Sequence, residues 1–181
     1  MQIKRFLLVG LVFLLAVFVA YFFILRATQE STAPPSTQIL YEGIRPGETT
    51  TEAVVQKLGQ PTRKEEEAKK TSLVNPSDQG QRPVLVDAQS NTVVRIIEPL
   101  DKEIGFANAT KILGTADAVL YGPFHQAGFE LHVFLSRGVA ILGNPQSNEA
   151  WQRWYFEPTS LPQFIANIAP EYQIEPIPNQ P

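Results

Sequence analysis

The sequence predicts an α+β chain: an N-terminal transmembrane helix followed by two tandem halves, each a helix leading into an antiparallel meander. Three observations carry this expectation. An uncharged run of twenty residues stands near the start, a helix with clear start and stop signals follows a Pro/Ser/Thr spacer, and β-branched runs separated by turn residues then occur twice. The 181 residues are 44% hydrophobic and 18% charged, enough apolar material for a core even with the long apolar run set aside.

The apolar run is Phe6 to Leu25, FLLVGLVFLLAVFVAYFFIL. As a helix rising about 1.5 Å per residue it covers about 30 Å, the thickness of bilayer hydrocarbon. Lys4 and Arg5 precede it and only Arg26 follows before Glu30, so the positive-inside bias predicts a cytoplasmic N-terminus and an extracytoplasmic domain. The run is longer than the apolar region of a signal peptide and no A-x-A-like site follows it, so residues 1–26 read as an uncleaved anchor. Residues 27–38, rich in Pro, Ser and Thr, read as a tether. Residues 39–99 and 100–169 read as the first and second α+β halves, and 170–181, with four prolines in twelve residues, as a tail that continues neither helix nor central strand.

Within the first half, Thr49 with Glu52 three residues on fits a capping box. Val54, Val55 and Leu58 form an apolar face, and Gly59 and Pro61 end the helix. Thr62 to Ser72 reads as a polar helical extension, with Glu65 and Lys69, and Glu66 and Lys70, at the favourable i,i+4 spacing. Ser72 to Val74, Pro83 to Ala88 and Thr92 to Pro99 read as a three-stranded meander. In the second half, Leu100 to Gly114 has roughly helical spacing with Gly105 weakening it. AVLYGPF, FELHVFLS and GVAILGNP read as strands, Ser136 to Gly138 as a tight turn, Trp151 to Pro158 as a final aromatic strand, and SLPQFIANI as a closing helix with Pro162 in its first turn.

IRPGETTTEAVVQKLGQPT, with Pro46, Gly47, Thr49, Leu58, Gly59 and Pro61, resembles the opening of the BamE/SmpA-like small envelope proteins. There a Pro-Gly-x-Thr helix ends in Leu-Gly-x-Pro before a meander. Leu113-Gly114-Thr115-Ala116 stands where a second copy would carry Leu-Gly-x-Pro, so the tandem layout is also similar to β-lactamase inhibitory protein. A membrane helix replaces the family's lipid-modified cysteine, and Ala116 replaces the proline. The resemblance implies a fold and a tendency toward protein binding, and assigns no site residue.

Chemistry is narrowed by what is missing. A net charge of −3, falling to −6 once the three basic residues of 1–26 are set aside, offers no basic face for nucleic acid. Without cysteine there is no disulfide, thiolate nucleophile or Cys-ligated metal. His125 and His132 are the only histidines, and Glu130 shares a strand face with His132, but no third ligand is implied. Asp87, Glu98, Asp117, Glu130 and Glu157 fall near strand ends with no pairing spacing, and no nucleophile elbow, P-loop or dinucleotide fingerprint is present. No enzyme activity, cofactor or metal is expected. In the aromatic strand, alternation puts Trp151, Arg153 and Tyr155 on one face and Gln152, Trp154 and Phe156 on the other. Aromatic and Arg side chains dominate interface hot spots, so Trp151, Arg153 and Tyr155 are the candidate partner-binding patch. The expected function is a membrane-anchored scaffold or adaptor of the cell envelope that contacts another envelope or membrane protein. The alternative is a binder of a small molecule or cell-wall fragment in a cleft between the halves. A cleft lined by Trp154, Phe156 and carboxylates would favour the second, a flat apolar patch the first.

Overall fold

The computed structural model describes residues 38–67 and 69–176. Eight strands run β1 (Arg63–Glu67), β2 (Lys70–Ser77), β3 (Gly80–Asp87), β4 (Val93–Pro99), β5 (Ala118–Leu120), β6 (Glu130–Phe134), β7 (Val139–Asn144) and β8 (Glu149–Phe156). They join into a single sheet of order β1-β2-β3-β4-β8-β7-β6-β5 in which every neighbouring pair is antiparallel. Among the described residues three short α-helices complete it: α1 (Thr51–Leu58), α2 (Phe106–Lys111) and α3 (Leu161–Asn167).

The expectation of two tandem halves is corrected here. β4 and β8 pair along Arg95–Pro99 and Gln152–Phe156, so one eight-stranded sheet replaces two separate meanders. The physical reason is that either meander alone would end in an apolar edge strand, VVRII or WYF, with its ladder groups unpaired. The likeness in layout to BamE-like proteins and to β-lactamase inhibitory protein rested on those halves and is corrected with them. The single-pass membrane location is corrected too. No helix among the described residues is long and apolar enough to cross a membrane. Eight-residue α1, the longest of them, covers about 12 Å at 1.5 Å per residue. Phe6 to Leu25, on which the anchor and the extracytoplasmic placement rested, lies outside the described residues.

Both faces of the sheet are covered. On the front face, α1, α2 and the segment around Tyr41 and Ile44 close over Leu73, Val84, Ile96, Ile141 and Tyr155. On the back face, α3 and the chain after it close over Leu131, Val133, Leu142, Trp154 and Phe156. Phe164 of α3 is fully buried with its ring 4.7 Å from that of Phe156, and burying such a side chain stabilises by about 1.5–3 kcal/mol. Arg95 ties the following segment down. Its Nη1 donates to the Ile168 carbonyl at 2.6 Å, and its guanidinium lies 4.3 Å from the Trp154 ring centroid. Tyr121 and Gln173 then exchange backbone hydrogen bonds beyond the end of β5.

Three local expectations change with context. Thr50, not Thr49, caps α1, accepting from Ala53 N, while Thr49 Oγ1 accepts from Arg45 N at 2.8 Å and closes the preceding turn. The charged run 63–67 is an edge strand and not a helix. Its ion pairs are Arg63 with Glu65 and Lys64 with Glu66, each 2.8 Å, and i,i+2 partners share a face only in a strand. An edge strand made wholly of charged residues also resists pairing with another chain. The second helix starts at Phe106 and not at Leu100. Gly105 supplies no capping side chain, and Asn148, in the β7–β8 turn, provides instead the acceptors for Phe106 N and Ala107 N at 3.0 and 2.9 Å.

Candidate functional site

The three residues of the sequence-predicted patch are separated by one irregularity in β8. Leu142 pairs with Gln152 and Gly143 with Ala150, which leaves Trp151 as the extra residue of a β-bulge. Gly143 is what permits it. A side chain there would run into the Glu149 carbonyl oxygen and the Phe106 ring. The bulge turns Trp151 away from Arg153 and Tyr155 to the back of the sheet, where its indole meets Phe124 and Phe129 edge to face at 4.8 and 5.3 Å. Phe129 packs against the back-face core. From the β4 side, the Trp151 carbonyl accepts from Leu100 N at 3.0 Å, so the bulge is held on both flanks.

Phe124 reaches Trp151 because the loop before β6 is itself braced. A 3-10 turn at His125–Ala127 ends at Gly128 in the left-handed region, Phe129 N donates to the Phe124 carbonyl at 3.2 Å, and Asn144 Nδ2 donates to the Ala127 carbonyl at 3.1 Å. Trp151 and Phe124 remain 38% and 44% exposed. Two adjacent large rings left in water, on a backbone fixed by hydrogen bonds, form a preformed apolar patch. Sequence reasoning missed Phe124 and Phe129. The available signal was the lone glycine in VAILGN, since an isolated glycine inside a strand marks a bulge and a bulge breaks the alternation that assigned the faces.

Arg153 and Tyr155 stay on the front. Tyr155 is buried, its hydroxyl donating to Glu98 Oε2 at 2.7 Å, and Arg153 Nη1 lies 3.7 Å from the same oxygen and 3.5 Å from the Tyr155 hydroxyl. The Tyr155 ring packs on Tyr41 at 5.3 Å, and the Arg82 guanidinium lies 4.6 Å from the Tyr41 centroid. Burial, first of all, raises both phenols well above their ordinary value. Trp154 and Phe156, the expected cleft lining, are instead buried beneath α3 and the chain that follows it.

His132 Nε2 lies 3.1 Å from Glu130 Oε2 and its ring meets Phe106 edge-on. His125 meets Tyr121 edge to face, its buried Nδ1 without a partner among the described residues. Among the described residues no three His, Asp or Glu side chains converge on a metal position. An open hollow of about 520 Å³ lies over Lys64, Glu66, Lys70 and Asp87, within the first meander. Its cations are engaged already, Lys64 by Glu66 and Lys70 by the Asn167 carbonyl at 2.6 Å.

No protein-family model and no curated protein matches the chain. Among solved structures, the chain is similar to a DUF4309 family protein (YjgB) from Bacillus subtilis subsp. subtilis str. 168. The two share 12% identity over 67% of this chain and 88% of that one, with a TM-score of 0.49.

Proposed function

We propose that this domain acts by binding another protein, through the aromatic patch of Phe124, Phe129 and Trp151. The observation that supports the reading is the bulge at Trp151. It lifts a large ring out of a strand whose next three hydrophobic side chains are all buried, and sets it against a second exposed ring. Exposed, rigid aromatic clusters are what interface hot spots are made of, because they add contact area at little cost in side-chain freedom. Arg153 and Tyr155 take no direct part. They belong to the front face, with Glu98.

The test is a photo-crosslinking residue in place of Gln126, which is exposed in the turn beside Phe124. The full chain is used in its own cells, with and without Trp151→Ala. The reading expects a discrete protein adduct that disappears in the Trp151→Ala chain while the fold survives. Trimming a ring that makes two edge-to-face contacts costs about 2 kcal/mol, within the tolerance of an ordinary domain. An adduct that persists unchanged sinks the reading. So does a stability loss of about 4 kcal/mol or more, which would make Trp151 a core residue.

A further inference from the structure

A different feature sits on the opposite face. The ladder between β3 and β4 consists of Val84 with Ile96, Leu85 with Arg95 and Val86 with Val93, and stops there. On either side the ladders continue, β2 with β3 as far as Ser77 and Gly80, and β4 with β8 as far as Pro99 and Gln152. Pro83 and Pro99 carry no N–H to extend the missing rungs. At this interruption Arg82 projects from β3. By strand alternation from Val84 and Ile96, both in the front-face core, it shares that face with Glu98.

Arg82 is held, yet it is not used. Its guanidinium lies 4.6 Å from the Tyr41 ring centroid, and Tyr41 is in turn fixed against Tyr155. Its Nε is shut away from solvent with no acceptor. Among the described residues no carboxylate comes within ion-pair distance of Arg82, and Glu98 is already engaged by Tyr155 at 2.7 Å and by Arg153. Among the described residues Arg82 is therefore a half-buried guanidinium without a partner, in a row holding two guanidiniums and one carboxylate. A buried donor with no acceptor costs about 1–3 kcal/mol, and the Tyr41 ring holds in place a planar group whose N–H donors pair with carboxylates.

We propose that Arg82, stacked on Tyr41, is the anchoring cation of a carboxylate-binding site on the front face, which takes the side-chain or C-terminal carboxylate of a peptide. Tyr41 acts as the positioning residue. Because the guanidinium is already ordered, binding needs little further loss of side-chain freedom. Trp151 lies on the other face and is not part of this site.

The test follows the arginine Nε–H resonances of the full chain by NMR at constant ionic strength. Glutarate is the probe, glutaramide its uncharged counterpart, and inorganic phosphate the competing anion. A saturable shift of the Arg82 resonance with glutarate and none with glutaramide is expected. Arg82→Lys keeps the charge but loses the planar fork, and should weaken glutarate at least tenfold. Tyr41→Phe keeps the stacking ring and should bind within about twofold of the parent, since cation–π attraction survives in Phe. Acetyl-Ala-Glu-Ala-amide and acetyl-Ala-Ala-Ala with a free C-terminus separate the two carboxylate sources, and binding by neither overturns the proposal. Equal affinity in Arg82→Lys, tighter binding of phosphate than of glutarate, or no saturable shift also overturns it. Should Arg82→Lys fail to fold, the titration of the parent chain still decides.

Discussion

Gly143→Ala puts the link between strand geometry and the aromatic patch under direct test. The added methyl would fall inside van der Waals contact of the Glu149 carbonyl oxygen and of the Phe106 ring. Neither obstacle yields easily. The carbonyl is main chain next to the bulge, and Phe106 is the buried first residue of α2, whose N–H is tied to Asn148. Overpacking of this kind costs about 1–3 kcal/mol, and two immobile neighbours place it near the upper end. Against it, replacing glycine stabilises by about 0.4–1 kcal/mol through the unfolded chain, leaving a net loss of about 2 kcal/mol. Gly59→Ala is the natural control. That residue has φ +81° and ψ −179° with nothing within 4 Å, so its cost is backbone strain alone, about 1–3 kcal/mol. Urea unfolding of the full chain, read by tryptophan fluorescence, measures both. The bulge reading further expects the Trp151 emission to change in Gly143→Ala and not in Gly59→Ala. A loss in Gly143→Ala below about 0.5 kcal/mol, with unaltered Trp151 emission, would refute the idea that Gly143 creates the bulge.

Three further outcomes follow from individual side-chain contacts. Arg95→Met keeps an apolar stem over Trp154 but removes the hydrogen bond to the Ile168 carbonyl and the cation–π contact. A loss of about 2 kcal/mol is expected after the relief of desolvation is set against it, with amide exchange at Tyr172 and Gln173 accelerating more than at Val133; equal acceleration at all three would deny that Arg95 clamps this segment. pH acts at both ends of the range. Hydrogen bonds from Ser90 hold Asp87 below its ordinary carboxyl range, so its contribution is complete above about pH 4 and is lost as pH falls through its lowered value; Asp87→Asn should shallow the acid limb of a stability–pH curve. Burial pushes the Tyr172 phenol up to about 12, so its contribution is complete below about pH 10 and is lost as pH rises toward 12; Tyr172→Phe should remove part of the alkaline fall.

How much of this was legible in the sequence depends on how local each cause was. Turn residues and β-branched runs located β3, β4, β6, β7 and β8 to within a few residues, because those signals act over neighbouring positions. The closing helix, α3, was marked by Ser160 and Pro162 in the same way. The run 63–67 was not legible. Its charges suit a helix by i,i+4 counting and a strand by i,i+2 counting, and only the presence of β2 alongside chooses between them. Alternation and residue type grouped Trp151, Arg153 and Tyr155, and the bulge interrupts that alternation, so Trp151 lies on the back and the other two on the front.

By itself the sequence determined which residues are apolar, where the chain turns, the absence of cysteine chemistry and the acidic balance, since each is a property of composition or of near neighbours. Tertiary structure alone decided that β4 and β8 pair, making one sheet of two meanders, because pairing residues about sixty apart depends on which edges are left unsatisfied once the hairpins have formed. It also decided that Asn148 caps a helix 41 residues away, that Trp151 faces Phe124, and that Arg82 has no carboxylate partner among the described residues. Each of these is set by the space and the hydrogen-bonding groups that other segments leave behind, and no window of sequence contains them.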